Sequence, residues 1–240
     1  MQKKQENSDG GKLGKLFVVA TPIGNMEDIT LRAIRILREV DIIFAEDTRT
    51  TGMLLKRHEI VYKKIDSYNA KNSESKNAFV LKLLEEGKDV ALVSDAGTPS
   101  ISDPGYSLIN FIRKNNMSVE IVPIPGASAL TTFISALGVG THAFTFYGFL
   151  PHKKGRQTIL KEILASEKSS IFYESTHRLL KFLQEMQKLE SVEETKRQIV
   201  IGKELTKIYE EFIFGSAEEL INLFEKSPDK LKGEFVVMVV

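Results

Sequence analysis

Three stretches combine small residues with isolated acids: Thr21-Pro-Ile-Gly-Asn25, Ser94-Asp-Ala-Gly-Thr-Pro99 with its continuation Ser100-Ile-Ser-Asp-Pro-Gly105, and Pro125-Gly-Ala-Ser-Ala129. Gly and Ala let backbone N–H and C=O groups approach a ligand closely. None of the three fits the phosphate pattern G-x-x-x-x-G-K-[ST] or the dinucleotide pattern G-x-G-x-x-G. Asp95 and Asp103 would also repel a phosphate, and they suit a ligand carrying an amine, a ribose and a sulfonium. Each stretch alone reads first as a βα turn with helix caps; together they favour a site.

A fourth stretch is Ala45-Glu-Asp-Thr-Arg-Thr-Thr51. On extended backbone the adjacent Glu46 and Asp47 point to opposite faces, so one of them can face a crevice. Arg49 has the fork geometry to hold a phosphate. Acids at a helix N-terminus also complement its dipole, which accounts for Glu46 and Asp47 but not for Arg49. Further on, Phe146-Tyr-Gly-Phe-Leu-Pro-His-Lys-Lys-Gly-Arg156 joins aromatics to Lys153, Lys154 and Arg156. That is a platform for stacking bases and meeting backbone phosphates, although a basic loop on its own is more often merely solvated. Tyr173-Glu-Ser-Thr-His-Arg178 and Gly202-Lys-Glu-Leu-Thr206 place more charge after strands. The four histidines lack paired ligand spacing, so no metal is expected. No G-x-S-x-G elbow is present.

Loops of this kind need strands to aim them. Leu16–Ala20, Asp41–Ala45, Val90–Ser94 and Val119–Val122 read as buried strands. They alternate with helices over 30–39, 50–57, 74–86 and from the Asp103-Pro104 cap to about Lys114. Such alternation predicts a mostly parallel sheet covered by helices. Pro123-Ile-Pro-Gly126 reads as a hinge. Beyond it come helices over 128–137, 157–165 and 176–188, strands over 143–147, 170–173, 198–202, 208–214 and 234–240, and a capping box at Ser216–Glu219. Hairpin signals concentrate there, predicting a mixed sheet. The expected division is a disordered tail over 1–14, an N-terminal α/β domain over 15–124 and a C-terminal α/β domain over 125–240.

Lys plus Arg (33) nearly balance Asp plus Glu (32), so nucleic-acid binding needs a local patch. The absence of Cys excludes disulfides and thiolate chemistry and fits a reducing compartment. No apolar run approaches ~18 residues, so no membrane span is expected, and the polar opening is no signal peptide. A cytoplasmic protein is expected.

Read in order, the motifs resemble one family. Ala20–Thr30, Ala45–Arg49, Ser94–Gly105, Pro123–Ala129, Gly148–Pro151, Glu174–Arg178 and Gly202–Leu205 together are similar to the bacterial ribosomal RNA small-subunit methyltransferase I family. The resemblance covers nearly the whole chain from about Lys15. It implies the two-domain tetrapyrrole-methylase fold, a homodimer, S-adenosylmethionine as cofactor and 2′-O-methylation of a cytidine in the decoding region of 16S rRNA in the 30S subunit. It places the donor against Pro22, Asp95, Ala96, Gly97, Thr98, Pro99, Ile101, Asp103, Ser128 and Ala129, with Phe149, Tyr173 and Gly233 closing over it. Met26 replaces a usual Leu, a volume-conserving change. Many relatives continue beyond the point matching Val240. The expected RNA grip here therefore falls to Arg49, Lys153, Lys154, Arg156, Arg178 and the dimer groove.

In-line transfer to a ribose hydroxyl calls for alignment and a base. Asp47 is the first expectation for the base, because its motif follows a strand and carries Arg49; Glu46 and Asp95 are alternatives. Lys203 is expected to stabilise the developing alkoxide. Two competing readings are a tetrapyrrole-type methyltransferase of the same fold and a non-catalytic protein that binds S-adenosylmethionine or RNA.

Overall fold

The computed structural model describes residues 12–103, 105–139 and 142–240. The chain divides into two compact units. Unit 1 comprises residues up to Pro22 together with Met26–Ala127, and unit 2 comprises Ile23–Asn25 with Ser128–Val240.

Unit 1 holds five strands, β1 (Leu16–Val19), β2 (Ile42–Ala45), β3 (Ile65–Ser67), β4 (Val90–Val93) and β5 (Ile121–Ile124). They pair in the order β3-β2-β4-β1-β5, all parallel. Parallel strands need crossovers, and helices then cover both faces, so central strands read as unbroken apolar runs. On one face Leu16, Val18, Phe44 and Leu92 pack against residues of α3 (Ser73–Glu85) and α4 (Gly105–Asn115). On the other, Phe17, Val19, Ile43 and Val93 pack against α1 (Leu31–Glu39) and Leu55 of α2 (Thr48–Arg57).

Two expectations change here. Short β3 carries polar Asp66 and gave no apolar run; it forms because an edge strand needs only one partner, β2. β5 runs through Pro123, where the sequence suggested a hinge. An edge strand tolerates a missing N–H, and β5 pairs only with β1. Of the expected tail, residues 1–11 lie outside the described residues. Lys12–Gly14 are not a tail: the Gly14 N–H donates to the Leu84 carbonyl at 2.8 Å and Leu13 packs on the core. Pro104 also lies outside the described residues, and α4 starts at Gly105.

Unit 2 has a mixed sheet in the order β6-β7-β10-β8-β9, from β6 (Phe144–Phe149), β7 (Ser169–Ser175), β8 (Ile199–Lys203), β9 (Glu211–Gly215) and β10 (Glu234–Val239). Only β6 and β7 are parallel. One face packs on α6 (Arg156–Ala165), α7 (Thr176–Glu193) and α8 (Ala217–Lys226). The other packs on α5 (Ala129–Ser135) through Phe133. Ile23 joins this second cluster and the Asn25 N–H donates to Thr206 Oγ1 at 3.0 Å. Gly24 is required there, since a Cβ would sit 2.8 Å from Thr206 Oγ1 and 3.0 Å from the Leu205 carbonyl oxygen.

The expected strand over 208–214 begins only at Glu211. Glu204 (φ 49) and Thr206 (φ 66) turn the chain, and the Thr206 N–H donates to Glu210 Oε2 at 2.5 Å. The capping box at α8 is present: Ser216 Oγ accepts from the Glu219 N–H while Glu219 accepts from the Ser216 N–H. Ser216→Ala should lower stability by about 1 kcal/mol in denaturant titration.

Candidate functional site

In an open parallel sheet, ligands bind outside the carboxyl ends of strands where the winding direction reverses. In unit 1 that place is the edge formed by β1, β2 and β4. The loops after β1 and β4 are fastened together. Thr21 and Gly97 exchange N–H···O bonds of 3.0 Å in both directions, and Thr21 Oγ1 donates to the Ser94 carbonyl at 3.1 Å. Gly97 takes φ 79, a conformation that suits glycine. Thr98 Oγ1 donates to the Ala127 carbonyl at 3.2 Å, adding the segment after β5. Pro22 and Pro99 are buried supports, whereas Asp95, Ala96 and Ile101 are exposed.

Ser100 has φ 74, and its buried hydroxyl has no hydrogen-bond partner among the described residues. Gly105 packs so closely that a Cβ would lie 2.4 Å from that oxygen. Backbone strain and an unmet buried hydroxyl are both costs, and they concentrate where a ligand compensates them.

The acids divide into two kinds. Asp47 caps α2, accepting from the Arg49 N–H at 2.8 Å, and its carboxylate takes Arg49 Nε at 3.1 Å and Nη2 at 2.6 Å. The Arg49 guanidinium holds the Asp47 pKa down at about 2. A carboxylate held in this way by Arg49 has little tendency to take up a proton, which weighs against Asp47, the first expectation for the base. Arg49 is likewise not a free phosphate fork, although its side chain is 88% exposed.

Asp95 Oδ1 accepts from the Asp47 N–H at 2.9 Å, and Glu46 Oε2 lies 3.5 Å from the Asp95 nitrogen. Burial pushes the Glu46 pKa up, opposed by the Asp95 N–H and reinforced by the Asp95 charge. Burial also raises Asp95. Asp103 is pushed up to about 6 by burial and then by the charges of Glu46 and Asp95, with the Ser94 hydroxyl pulling it back. The structure thus brings Glu46, Asp95 and Asp103 within electrostatic range of one another, with Asp47 in range of Asp95.

In unit 2, Ser128 and Ala129 open α5. Phe149 and Phe146 meet Tyr173 edge-to-face, with ring centroids at 5.5 and 5.1 Å. Gly233 takes φ 121 with Glu204 Cγ 2.6 Å from where a Cβ would stand, and Thr176 Oγ1 binds both its N–H and its carbonyl. Lys153 and Lys154 are exposed. Arg156 is not: it is 3% exposed and paired with Glu174 at 3.7 Å and Glu185 at 2.8 Å. Arg178 bonds Glu174 at 3.1 Å and the Leu150 carbonyl. These two guanidiniums are committed inside the protein, which corrects the expectation that they grip RNA.

Lys203 is also placed differently. Cross-strand register sets Lys203 opposite Phe235 and Phe235 opposite Glu174, and opposite residues share a face. Phe235 lies in the cluster under α6–α8, while Tyr173 packs in the cluster on the other face. Lys203 is 7% exposed on the helix-covered face, so it does not stand beside Tyr173 as an alkoxide partner.

The family model for tetrapyrrole (corrin/porphyrin) methylases matches residues 15–221. A Thermotoga maritima protein named ribosomal RNA small subunit methyltransferase I is 45% identical over 227 residues, covering 95% of this chain and 98% of the relative. The protein of that name from Escherichia coli O157:H7 is 42% identical over 237 residues, covering 98% and 81%. The chain belongs to the ribosomal RNA small subunit methyltransferase I family of tetrapyrrole methylases. The fold agrees with solved members of the wider group. The methyltransferase CobJ aligns with a TM-score of 0.68 at 18% identity, covering 94% of this chain and 93% of CobJ. A Thermus thermophilus uroporphyrin-III C-methyl transferase complexed with S-adenyl homocysteine aligns with a TM-score of 0.63 at 16% identity, covering 94% and 97%.

Within this methyltransferase I member, the residues that sequence reasoning passed over are Ser100 as an unmatched hydroxyl and Glu174 as a buried hub. Glu174 had a readable signal in its i,i+4 spacing to Arg178. Ser100 had none, because its strain is a property of the folded loop.

Proposed function

We propose that this chain transfers a methyl group from S-adenosylmethionine to small-subunit ribosomal RNA, at a cytidine 2′-hydroxyl in the decoding region of 16S rRNA, with the 30S subunit as substrate. The observation that carries ribosomal RNA methylation is near full-length identity above 40% to proteins named ribosomal RNA small subunit methyltransferase I, and the cytidine 2′-hydroxyl follows from the family resemblance of the motifs. The loops of unit 1 fit the donor: Gly97 makes the turn that fastens the loop after β4 to the loop after β1, Ser100 offers an unmatched hydroxyl, and Asp95 and Asp103 supply acceptors for hydroxyl or ammonium donors. When bound, S-adenosylmethionine supplies an electrophilic sulfonium methyl whose bonding pair is kept by sulfur.

Glu46 takes the proton of the attacking 2′-hydroxyl. It is half-buried, its pKa is raised, and among the described residues its carboxylate accepts a long hydrogen bond of 3.5 Å from the Asp95 N–H. A base whose pKa is raised toward neutrality is better matched to a weakly acidic hydroxyl. Asp47 instead fixes the start of α2 and the direction of Arg49. Lys153 and Lys154 meet the RNA backbone from unit 2.

Incubation with methyl-labelled donor and either 30S subunits or a porphyrinogen tests the substrate class. Label in 16S rRNA, at a linkage made resistant to alkali, is the expected result; label in the porphyrinogen alone would overturn it.

Donor binding should be pH-linked through Asp103. Hydroxyl or ammonium donors favour its ionised form, so protonation competes and affinity falls as pH drops through about 6. Calorimetry at pH 6 in two buffers of different ionisation enthalpy should show roughly half a proton released per donor bound, vanishing at pH 8. Asp103→Asn should abolish the release.

A further inference from the structure

We infer that Glu174, Arg156 and Arg178 form a buried clamp that sets the backbone of the Leu150–Gly155 loop so that Lys153 and Lys154 stand ready for RNA phosphates; Glu174 and Arg178 are positioning residues. This rests on the RNA-methylating role proposed above.

The loop joins β6 to α6 and carries two exposed lysines between fixed ends. At its start, Arg178 Nη2 donates to the carbonyls of Leu150 and, at 3.5 Å, Pro151. Arg156 Nη1 donates to the same Pro151 carbonyl at 3.3 Å. At its end, Gly155 takes φ 81, turning Arg156 inward, and the Arg156 N–H donates to the Lys153 carbonyl at 3.2 Å. His152 Nε2 stands 3.5 Å from Arg178 Nη1.

Both guanidiniums converge on Glu174, whose side chain is fully buried: Oε1 is 3.1 Å from Arg178 Nε and Oε2 is 3.7 Å from Arg156 Nη1. The Ser175 N–H holds Oε1 at 3.1 Å. Burial pushes the Glu174 pKa up and the two guanidiniums oppose it. Glu185 takes the Nε of Arg156 at 2.8 Å. The two arginines are thus offset by two carboxylates.

An apolar core could pack this corner, but it could not bond loop carbonyls, so the charged arrangement does more than fill space. Fixing the loop in advance removes an ordering cost that flexible lysine-bearing backbone would otherwise meet on binding. Lys153 and Lys154 are exposed and take no part in the Arg156–Glu174–Arg178–Glu185 ion pairs, so their charge faces solvent and is available to RNA.

Steady-state methylation of 30S subunits tests this. Lys153→Ala/Lys154→Ala should raise KM for subunits roughly tenfold, as for loss of two phosphate contacts. Arg178→Ala should raise it by a similar factor with kcat and donor affinity unchanged, and Arg178→Lys should rescue only part. The triple variant should match the double one, because Arg178 acts through the lysines.

A triple variant whose loss is the product of the two, or an Arg178→Ala enzyme with wild-type KM, overturns the clamp. So does a lysine double variant with unchanged KM. If the wild-type protein leaves 30S subunits unmethylated, the parent reading fails. Amide exchange without RNA then decides the clamp alone: Arg178→Ala should speed exchange at Lys153–Gly155, and unchanged rates overturn it.

Discussion

Glu46→Gln is expected to slow methyl transfer by about 10²–10⁴-fold, the usual worth of a positioned base, with S-adenosylmethionine affinity little altered. Asp47→Asn should leave the chemical step close to wild type, because Asn still caps α2. The two carboxylates are neighbours in sequence, yet their surroundings separate them. Arg49 covers Asp47 and fixes it as an anion. Glu46 sits half-buried near Asp95, which makes it the better acceptor.

Single-turnover rates against pH give an independent check. A base must be unprotonated, so the rate should fall as pH drops through the raised pKa of Glu46. Asp95→Asn removes a repelling charge, lowers that pKa and should move the acid limb to lower pH. A Glu46→Gln enzyme with a near-normal rate, or an acid limb indifferent to Asp95, would remove Glu46 from the role.

Arg156→Met should destabilise the protein by about 3 kcal/mol, since it takes one of two guanidiniums from buried Glu174 and the 2.8 Å partner from Glu185. For a chain of this size that corresponds to a fall in Tm of roughly ten degrees. Lys153→Ala, three residues away and exposed, should change stability by no more than about 0.5 kcal/mol. Adding Glu174→Gln to Arg156→Met should not recover the loss, because Arg178 then gives up the carboxylate 3.1 Å from its Nε. A single variant that melts with the wild type would show that Arg156 carries little of the stability.

The strands of unit 1 were readable because both-face burial forces unbroken apolar runs such as Leu16-Phe-Val-Val, and α8 was readable from Ser216 and Glu219 three apart. The loops at the sheet edge were readable for a related reason: Gly97 and the flanking small residues serve backbone geometry, which is local. What failed depended on partners far along the chain. Lys203 was expected at the reacting hydroxyl until strand register placed it on the face under α6–α8, away from the face that carries Tyr173. Arg156 looked like a surface cation because Glu174 and Glu185, its partners, lie 18 and 29 residues later. β3 and the passage of β5 through Pro123 were missed because edge strands relax the rules that make central strands visible.

The three residues Ile23–Asn25 have a consequence for biosynthesis. They leave the translating ribosome more than a hundred residues before Thr206 and Phe133 have both appeared, yet those are the groups they join. For that interval the nascent chain carries an unfinished plug. A gene cut at residue 127 would give a second fragment whose Phe133 cluster lacks Ile23, so the two halves are better expressed from one message than from two.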